Sequence, residues 1–206
     1  MTRLVLVRHG ETIWHRENRY AGVSDISLSL DGLAQAEQLA RWAAGAGLSG
    51  IWVSPLSRAI TTADPTARAT QLEPKIDARL REIDFGRAEG KTFAEYAAEF
   101  PGEARAYKSD PVMHPFPGGE NPRDAALRAV DCFRDIAQVH PGQRVLVVAH
   151  NTLLRLALCQ FLGIPLRTYR TVFPAVLNGA VTEIQIVGTN ASLLQYNVPL
   201  DEPFDG

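Results

Sequence analysis

The side chains best suited to chemistry in this chain stand where apolar runs end. Residues 4–7 are aliphatic, and Arg8, His9 and Gly10 follow with no turn residue before them. Residues 145–149 are apolar again, and His150 and Asn151 follow at once. Between these, "VSPLSRA" sets Arg58 just after a third apolar run, and "LREIDFG" sets Glu82 at the end of a stretch that reads as extended. Two arginines, two histidines and one glutamate suit a phosphate monoester. Guanidinium forks bind phosphate oxygens in pairs and stay charged, so Arg8 and Arg58 would hold the dianion. Helix N-terminal amides near Arg58 and Asn151 would add donors. One neutral imidazole can attack phosphorus, and the other, if protonated, can offset charge in the transition state. A glutamate of raised pKa can protonate the leaving oxygen and then activate water. With its cations built in, such a site calls for no metal and no cofactor.

These groups can act together only if separate elements deliver them to one place. Strand and helix alternate along the chain, which predicts an α/β three-layer sandwich with a mostly parallel central sheet and helices on both faces. "DGLAQAEQLARWAAGAG" repeats apolar residues at helical spacing, with Asp31 as N-cap and Gly45 and Gly47 as stop. A helix begins at "SRAITTA", and Pro65 should end or kink it. Residues 122–140 read as a helix and "QRVLVVAH" as a central strand, with "TLLRLALCQFLG" as the helix behind it. "GAVTEIQIV" and "SLLQYNV" read as an edge hairpin. Residues 91–121 break the rhythm and read as a small helical flap inserted in one domain spanning 1–206. Ligands of open α/β sheets bind beyond the carboxyl ends of the strands, which is where Arg8, His9 and His150 fall if both runs are parallel strands.

The composition narrows the partners. Net charge is −2, giving no global attraction to nucleic acid or anionic membrane. Cys132 and Cys159 are too few for a disulfide framework, and no apolar run reaches membrane-spanning length, so a cytoplasmic location is expected. The expected partner is a small phosphorylated molecule. The edge hairpin over residues 181–198 offers a surface for a homodimer, though nothing in the sequence demands one.

"LVRHGET", "VSPLSRAITTA", "LREIDFGRAEG", "PGGEN" and "VLVVAHNTLLRLAL" together resemble the motifs of the histidine phosphatase superfamily, in its phosphoglycerate-mutase-like branch with the RHG motif. The resemblance runs from Arg3 to about Leu162. It implies that His9 is the nucleophile and Glu82 the acid and base, with Arg8, Arg58 and His150 forming the phosphate pocket. Several positions depart from the mutases. His15 stands where their first motif has asparagine, Ala21 where Ser or Thr precedes Gly22, and Phe85 where they carry tyrosine. Their flap lysine has no match at Phe93, and their adjacent arginine pair is missing. Those groups hold the second acidic group of a phosphoglycerate, so their absence favours phosphoryl transfer to water.

Other residues have two readings. His15, Gly22, Phe85, His114 and Glu120 are candidates for substrate contact. His114 could equally decorate the surface, and Glu120 could orient a pocket histidine or cap the next helix. Glu11 reads as a partner of an arginine. His140 reads as the close of a helix, where a cation is favourable. The histidines lack zinc-site spacing. The leading function is a metal-independent phosphomonoesterase. A phosphoglycerate mutase is the near alternative, and a noncatalytic phosphate-binding module the distant one.

Overall fold

The computed structural model describes residues 1–200, so residues 201–206 of the expected domain lie outside the described part. β1 (Thr2–Arg8), β2 (Gly50–Val53), β3 (Pro74–Ile76), β4 (Arg144–Ala149), β5 (Val181–Val187) and β6 (Asn190–Val198) form a six-stranded sheet. The spatial order is β3-β2-β4-β1-β5-β6. The first four of these neighbours pair in parallel, while β5 and β6 add an antiparallel hairpin at the edge. β1 and β4 sit in the middle with Leu4 opposite Val145 and Arg8 opposite Ala149. The two strands therefore end level, and the His9 amide continues the ladder by donating to the Ala149 carbonyl at 3.0 Å.

Both faces of the central strands are apolar, as a sheet covered on two sides requires. Val5, Val7, Leu146 and Val148 pack with Leu39 of α1 (Leu30–Ala43) and with Ala59 and Ala63 of α2 (Ser57–Thr70). The alternate residues Leu4, Leu6, Val145 and Val147 pack with Phe133 and Ile136 of α5 (Pro122–Val139). They also meet Leu153 and Leu156 of α6 (Asn151–Phe161). α3 (Phe93–Glu99) and α4 (Pro101–Ser109) occupy the inserted segment, and the short α7 (Tyr169–Val172) precedes β5. A capping box between Thr92 and Glu95 starts α3. The Tyr107 ring stacks on Phe116 with centroids 3.7 Å apart, tying α4 to the loop that follows it. Among the described residues no helix is long and apolar enough to cross a membrane.

Three local expectations change. Ser29, not Asp31, caps α1, accepting from the Gly32 amide at 3.1 Å, while Asp31 sits in the first turn where a negative charge suits the helix dipole. Pro65 does not end α2. Its ring is buried, and burial of apolar surface offsets the one backbone bond that proline removes. The stretch carrying Glu82 is a strand only over Pro74–Ile76; beyond it Asp77 accepts from the Arg79 amide at 2.8 Å and turns the chain into a short 3₁₀ turn, Ala78–Leu80. Glu82 thus reaches the first turn of α6 on a loop. His140, by contrast, ends α5 as expected, with Nδ1 bonded to Gln143 and Nε2 accepting from the Trp52 indole.

The loop after β1 lies against the first turn of α1 at a contact between two glycines. A Cβ on Gly32 would lie 2.0 Å from the Glu11 carbonyl oxygen, and one on Gly10 would lie 2.5 Å from the Gly32 carbonyl. Gly32→Ala is expected to force these backbones apart at a cost of about 1–3 kcal/mol. That corresponds to a Tm lower by roughly 2–12 °C in scanning calorimetry. An unchanged Tm would mean the contact does not hold the loop.

Candidate active site

β1 and β4 deliver His9 and His150 side by side, with ring centroids 5.1 Å apart. Both are buried. His9 Nδ1 lies 2.7 Å from the Gly10 carbonyl, which can only accept, so Nδ1 carries the hydrogen. The Nε2 lone pair is left for the cleft that His9 lines. His150 is held from its other ring nitrogen: Nε2 lies 2.7 Å from Ser54 Oγ, which accepts from the Leu56 amide at 3.3 Å. Its Nδ1 is buried with no protein partner. One imidazole has its Nε2 free of protein partners and its neighbour has its Nδ1 free. Burial, and then the positive charge of Arg8 and Arg58, keeps His9 neutral by moving its pKa well below the usual histidine range. Burial and Arg58 do the same to His150.

Arg58 is fully buried at the start of α2. Nη1 donates to the Ser24 carbonyl at 2.7 Å, and Nη2 to the Ala21 and Gly22 carbonyls at 3.1 and 2.6 Å. Its Nε keeps no protein partner. Arg8 shows the same economy: Nη1 donates to the Val176 carbonyl at 2.7 Å, Nη2 donates to His15 Nε2, and Nε is free. The arginines therefore supply fixed charge and one open donor edge rather than two free forks. Burial brings the Arg8 pKa down to about 10, still far above neutral.

Three of the helix amides near Arg58 and Asn151 are engaged within the protein. The Thr152 and Leu153 amides in the first turn of α6 both donate to Glu82 at 2.9 Å, and the Ile83 amide donates to it at the same distance. The Ser57 amide donates to Asp25 at 2.9 Å. Burial raises the Glu82 pKa, against the pull of the three amides and of Arg58. Behind it Arg128 donates to the carbonyls of Arg79, Arg81 and Glu82 at 2.6, 2.8 and 3.3 Å. Glu120 holds that guanidinium through two bonds, at 2.7 and 2.8 Å.

The cleft encloses about 320 Å³ and is lined by Arg8, His9, His15, Phe85, Glu82 and Asn151, among others. Asn151 brings a buried Oδ1 without a protein partner. His15 Nε2 lies against Arg8 Nη2, while its Nδ1 faces the Thr12 amide at 2.9 Å and Thr12 Oγ1 at 2.8 Å. Three candidates take other places. His114 is exposed and lines no part of this cleft. Gly22 is packed into the structure: its amide donates to Glu89 at 2.9 Å, and a Cβ there would lie 2.1 Å from a Glu89 oxygen. Glu120 touches neither histidine, and Asn121 caps α5. Glu11 accepts from Ser29 Oγ at 3.0 Å, not from an arginine. The sequence reading missed Glu89, Arg128, Arg155, Arg170 and Asn178. Asn178 donates to the His9 carbonyl at 2.7 Å from a loop that carries no periodic signal. Arg155, four residues beyond Asn151 on one helix face, was open to detection by spacing.

The three imidazoles of the cleft set a pH dependence of stability. In the unfolded chain they take protons below about pH 6.5. Folded, they resist: burial, then Arg8, lowers His15 to about 4, and His9 and His150 lie well below their usual range. The unfolded state then binds more protons, so stability present above about pH 6.5 is lost as pH falls toward 4. Glu82, with its pKa raised, acts with the opposite sign. His15→Asn removes one imidazole and leaves Glu82, so its Tm should fall less steeply than wild type between those pH values. Equal slopes would contradict the assignment for His15.

Comparison with known proteins agrees with this geometry. Residues 4–199 match the histidine phosphatase superfamily (branch 1). Phosphoserine phosphatase 1 of Hydrogenobacter thermophilus is 34% identical over 169 residues, covering 82% of this chain and 80% of that one. The probable phosphoglycerate mutase GpmB of Salmonella paratyphi B is 33% identical over 165 residues, covering 80% and 77%. The solved structure of Bacillus stearothermophilus YhfR superposes with a TM-score of 0.90 at 30% identity, covering 96% of this chain and 98% of that chain. The architecture, the paired histidines at the strand ends and these matches agree: the chain belongs to the histidine phosphatase superfamily.

Proposed function

We propose that the protein is a phosphomonoesterase that works through a phosphohistidine at His9 and needs no metal ion. The observation that carries this reading is the pair of adjacent imidazoles, a lone pair on His9 Nε2 beside the unpartnered Nδ1 of His150, which we assign as its N–H. Nε2 attacks phosphorus, the ester P–O bond breaks, and Glu82 gives its proton to the leaving oxygen. The Nδ1–H of His150 and the open Nε–H groups of Arg8 and Arg58 bind the phosphoryl oxygens as charge develops. Glu82, now a carboxylate, takes a proton from water; the water oxygen attacks phosphorus and the N–P bond breaks. Inorganic phosphate leaves and Glu82 is protonated again. Its raised pKa suits both halves of the cycle.

A phosphoglycerate mutase would share the first half and return the phosphoryl group to a second hydroxyl. Phe85 and Phe93 line the cleft where mutases place polar groups, which favours water as acceptor. The name of the phosphatase relative supports the same choice.

His9→Ala should abolish turnover while the protein still unfolds cooperatively. Labelled substrate with an alkaline quench should trap an acid-labile phosphohistidine in wild type only. Acid-stable label, or label that persists in His9→Ala, would reject His9 as nucleophile. Wild-type activity should survive EDTA, since a metal-dependent enzyme would lose it. Failure of any phosphate monoester to react would favour the noncatalytic module.

Glu82→Gln keeps the size of the side chain and removes its transferable proton. An alkoxide leaves poorly without a proton, whereas p-nitrophenolate leaves well. Single-turnover phosphorylation from an alkyl phosphate should slow by roughly 10²–10⁴-fold, and from p-nitrophenyl phosphate much less. Equal losses for both would reject Glu82 as the acid and direct attention to Asp84 or Glu11.

A further inference from the structure

The backbone on either side of His9 is held more completely than a strand end requires. Two peptide planes meet at its Cα. In the first, the His9 amide donates to the Ala149 carbonyl of β4 at 3.0 Å, and the Arg8 carbonyl accepts from the Gly179 amide at 2.9 Å. In the second, the Gly10 amide donates to Thr62 Oγ1 of α2 at 2.9 Å, and the His9 carbonyl accepts from Asn178 Nδ2 at 2.7 Å. The first plane continues the sheet through backbone bonds on both sides. The second lies past the sheet and is held by two side chains.

That second plane needs holding because of Gly10. Packing demands glycine there, since a Cβ would lie 2.5 Å from the Gly32 carbonyl oxygen. Glycine adopts backbone conformations of either hand, so nothing local stops the His9–Gly10 peptide from turning. A turn would change ψ of His9 and carry off the Gly10 carbonyl, which lies 2.7 Å from His9 Nδ1. The loop that brings Asn178 is anchored without that side chain. Its Val176 carbonyl accepts from Arg8 Nη1 at 2.7 Å, its Leu177 amide donates to Asn197 Oδ1 of β6 at 2.7 Å, and its Ala175 carbonyl accepts from the Tyr196 hydroxyl. Asn178 lines no part of the cleft, and its Nδ2 stands farther from His15 Nε2, at 3.4 Å, than from the His9 carbonyl. It reaches the reaction through the backbone of His9.

We propose that Asn178 is a positioning residue for the nucleophile: its side-chain amide, opposite Thr62, locks the His9–Gly10 peptide plane and so fixes the line along which His9 Nε2 meets phosphorus. This deepens the phosphohistidine reading and rests on it. Reacting groups must be held close to the productive geometry by the residues behind them, and a misplacement of about 1 Å can cost roughly 10²-fold in rate. The bond acts on the attack alone. Its loss should therefore slow phosphorylation of His9 while leaving phosphate affinity and the proton from Glu82 as they were.

The test sets Asn178→Leu, which keeps the volume and removes the donor, beside Asn178→Ala, which removes both. Single-turnover phosphorylation from an alkyl phosphate and from p-nitrophenyl phosphate gives the rate of attack, and inhibition by inorganic phosphate gives the affinity. Both variants should phosphorylate roughly 10–100-fold more slowly than wild type, equally for the two leaving groups, with the inhibition constant unchanged within about threefold. A side chain that only fills space would be replaced by leucine, so a rate restored in Asn178→Leu overturns the proposal. So do wild-type rates in both variants, a loss confined to the alkyl phosphate, or a loss of phosphate affinity in place of rate. All of these leave the phosphohistidine reading intact. If neither variant folds, nuclear magnetic resonance of the wild type decides. The side-chain amide protons of Asn178 should exchange with solvent more slowly than those of the exposed Asn190, and equal exchange overturns the proposal. Failure of the wild type to form a phosphoenzyme from either ester overturns the phosphohistidine reading and the positioning role together.

Discussion

A guanidinium buried without a carboxylate beside it is the constraint around which the site is built. Arg58 has lost all contact with water and lies in hydrogen-bond contact with three backbone carbonyls of the 21–24 loop. Taking a charge out of water costs several kcal/mol unless dipoles replace the solvent. The replacement here is directional. On the far side of the same loop, Glu89 accepts from the amides of Gly22, Val23 and Ser24 and from Ser24 Oγ. The peptide groups thus turn N–H toward the anion and C=O toward the cation. Glu89 also accepts from the Phe85 amide at 3.0 Å, joining this loop to the one that carries Glu82. Glycine is needed at position 22 because a Cβ would run into Glu89 and the Ile83 carbonyl. A direct Arg58 carboxylate pair would have cancelled the charge that a phosphate needs.

The same logic governs Glu82. Glu82 sits among three amides that favour its charged form, in a buried position that disfavours it, and burial prevails. Arg128 holds the loop in place through three carbonyls while Glu120 neutralises it, so this cation is kept from the cleft. Arg128 and Arg19 are paired with carboxylates, whereas Arg58, Arg155 and Arg170 are held by carbonyl and phenol oxygens.

Histidine tautomers follow from the backbone. The Gly10 carbonyl fixes the hydrogen on Nδ1 of His9, and Ser54 Oγ holds His150 through Nε2. Both partners lie just beyond strand ends, and the level ending of β1 and β4 sets the distance between the rings. Gly10 is itself held, its amide donating to Thr62 Oγ1 at 2.9 Å from α2. The loop after β1 is therefore clamped by both helices on that face of the sheet, which makes His9 part of the rigid scaffold.

By itself the sequence determined the alternation of elements, the central strands and the identity of the groups that meet. Apolar runs ending in Arg8–His9 and in His150 were legible because a strand buried on both faces must be apolar throughout, and a charge ends it. The mostly parallel sheet and its edge hairpin followed from the same periodicities. Only the tertiary structure decided which donors stay free. Periodicity carries no record of the carbonyls that occupy Arg58, of the amides that occupy Glu82, or of the exposure of His114. Arg170 and Asn178 lie in segments whose local pattern is too short to read, and they reach the cleft because α7 and the loop before β5 pack there. Hydrogen-bond partners far apart in sequence are fixed by packing, and packing is a property of the whole chain.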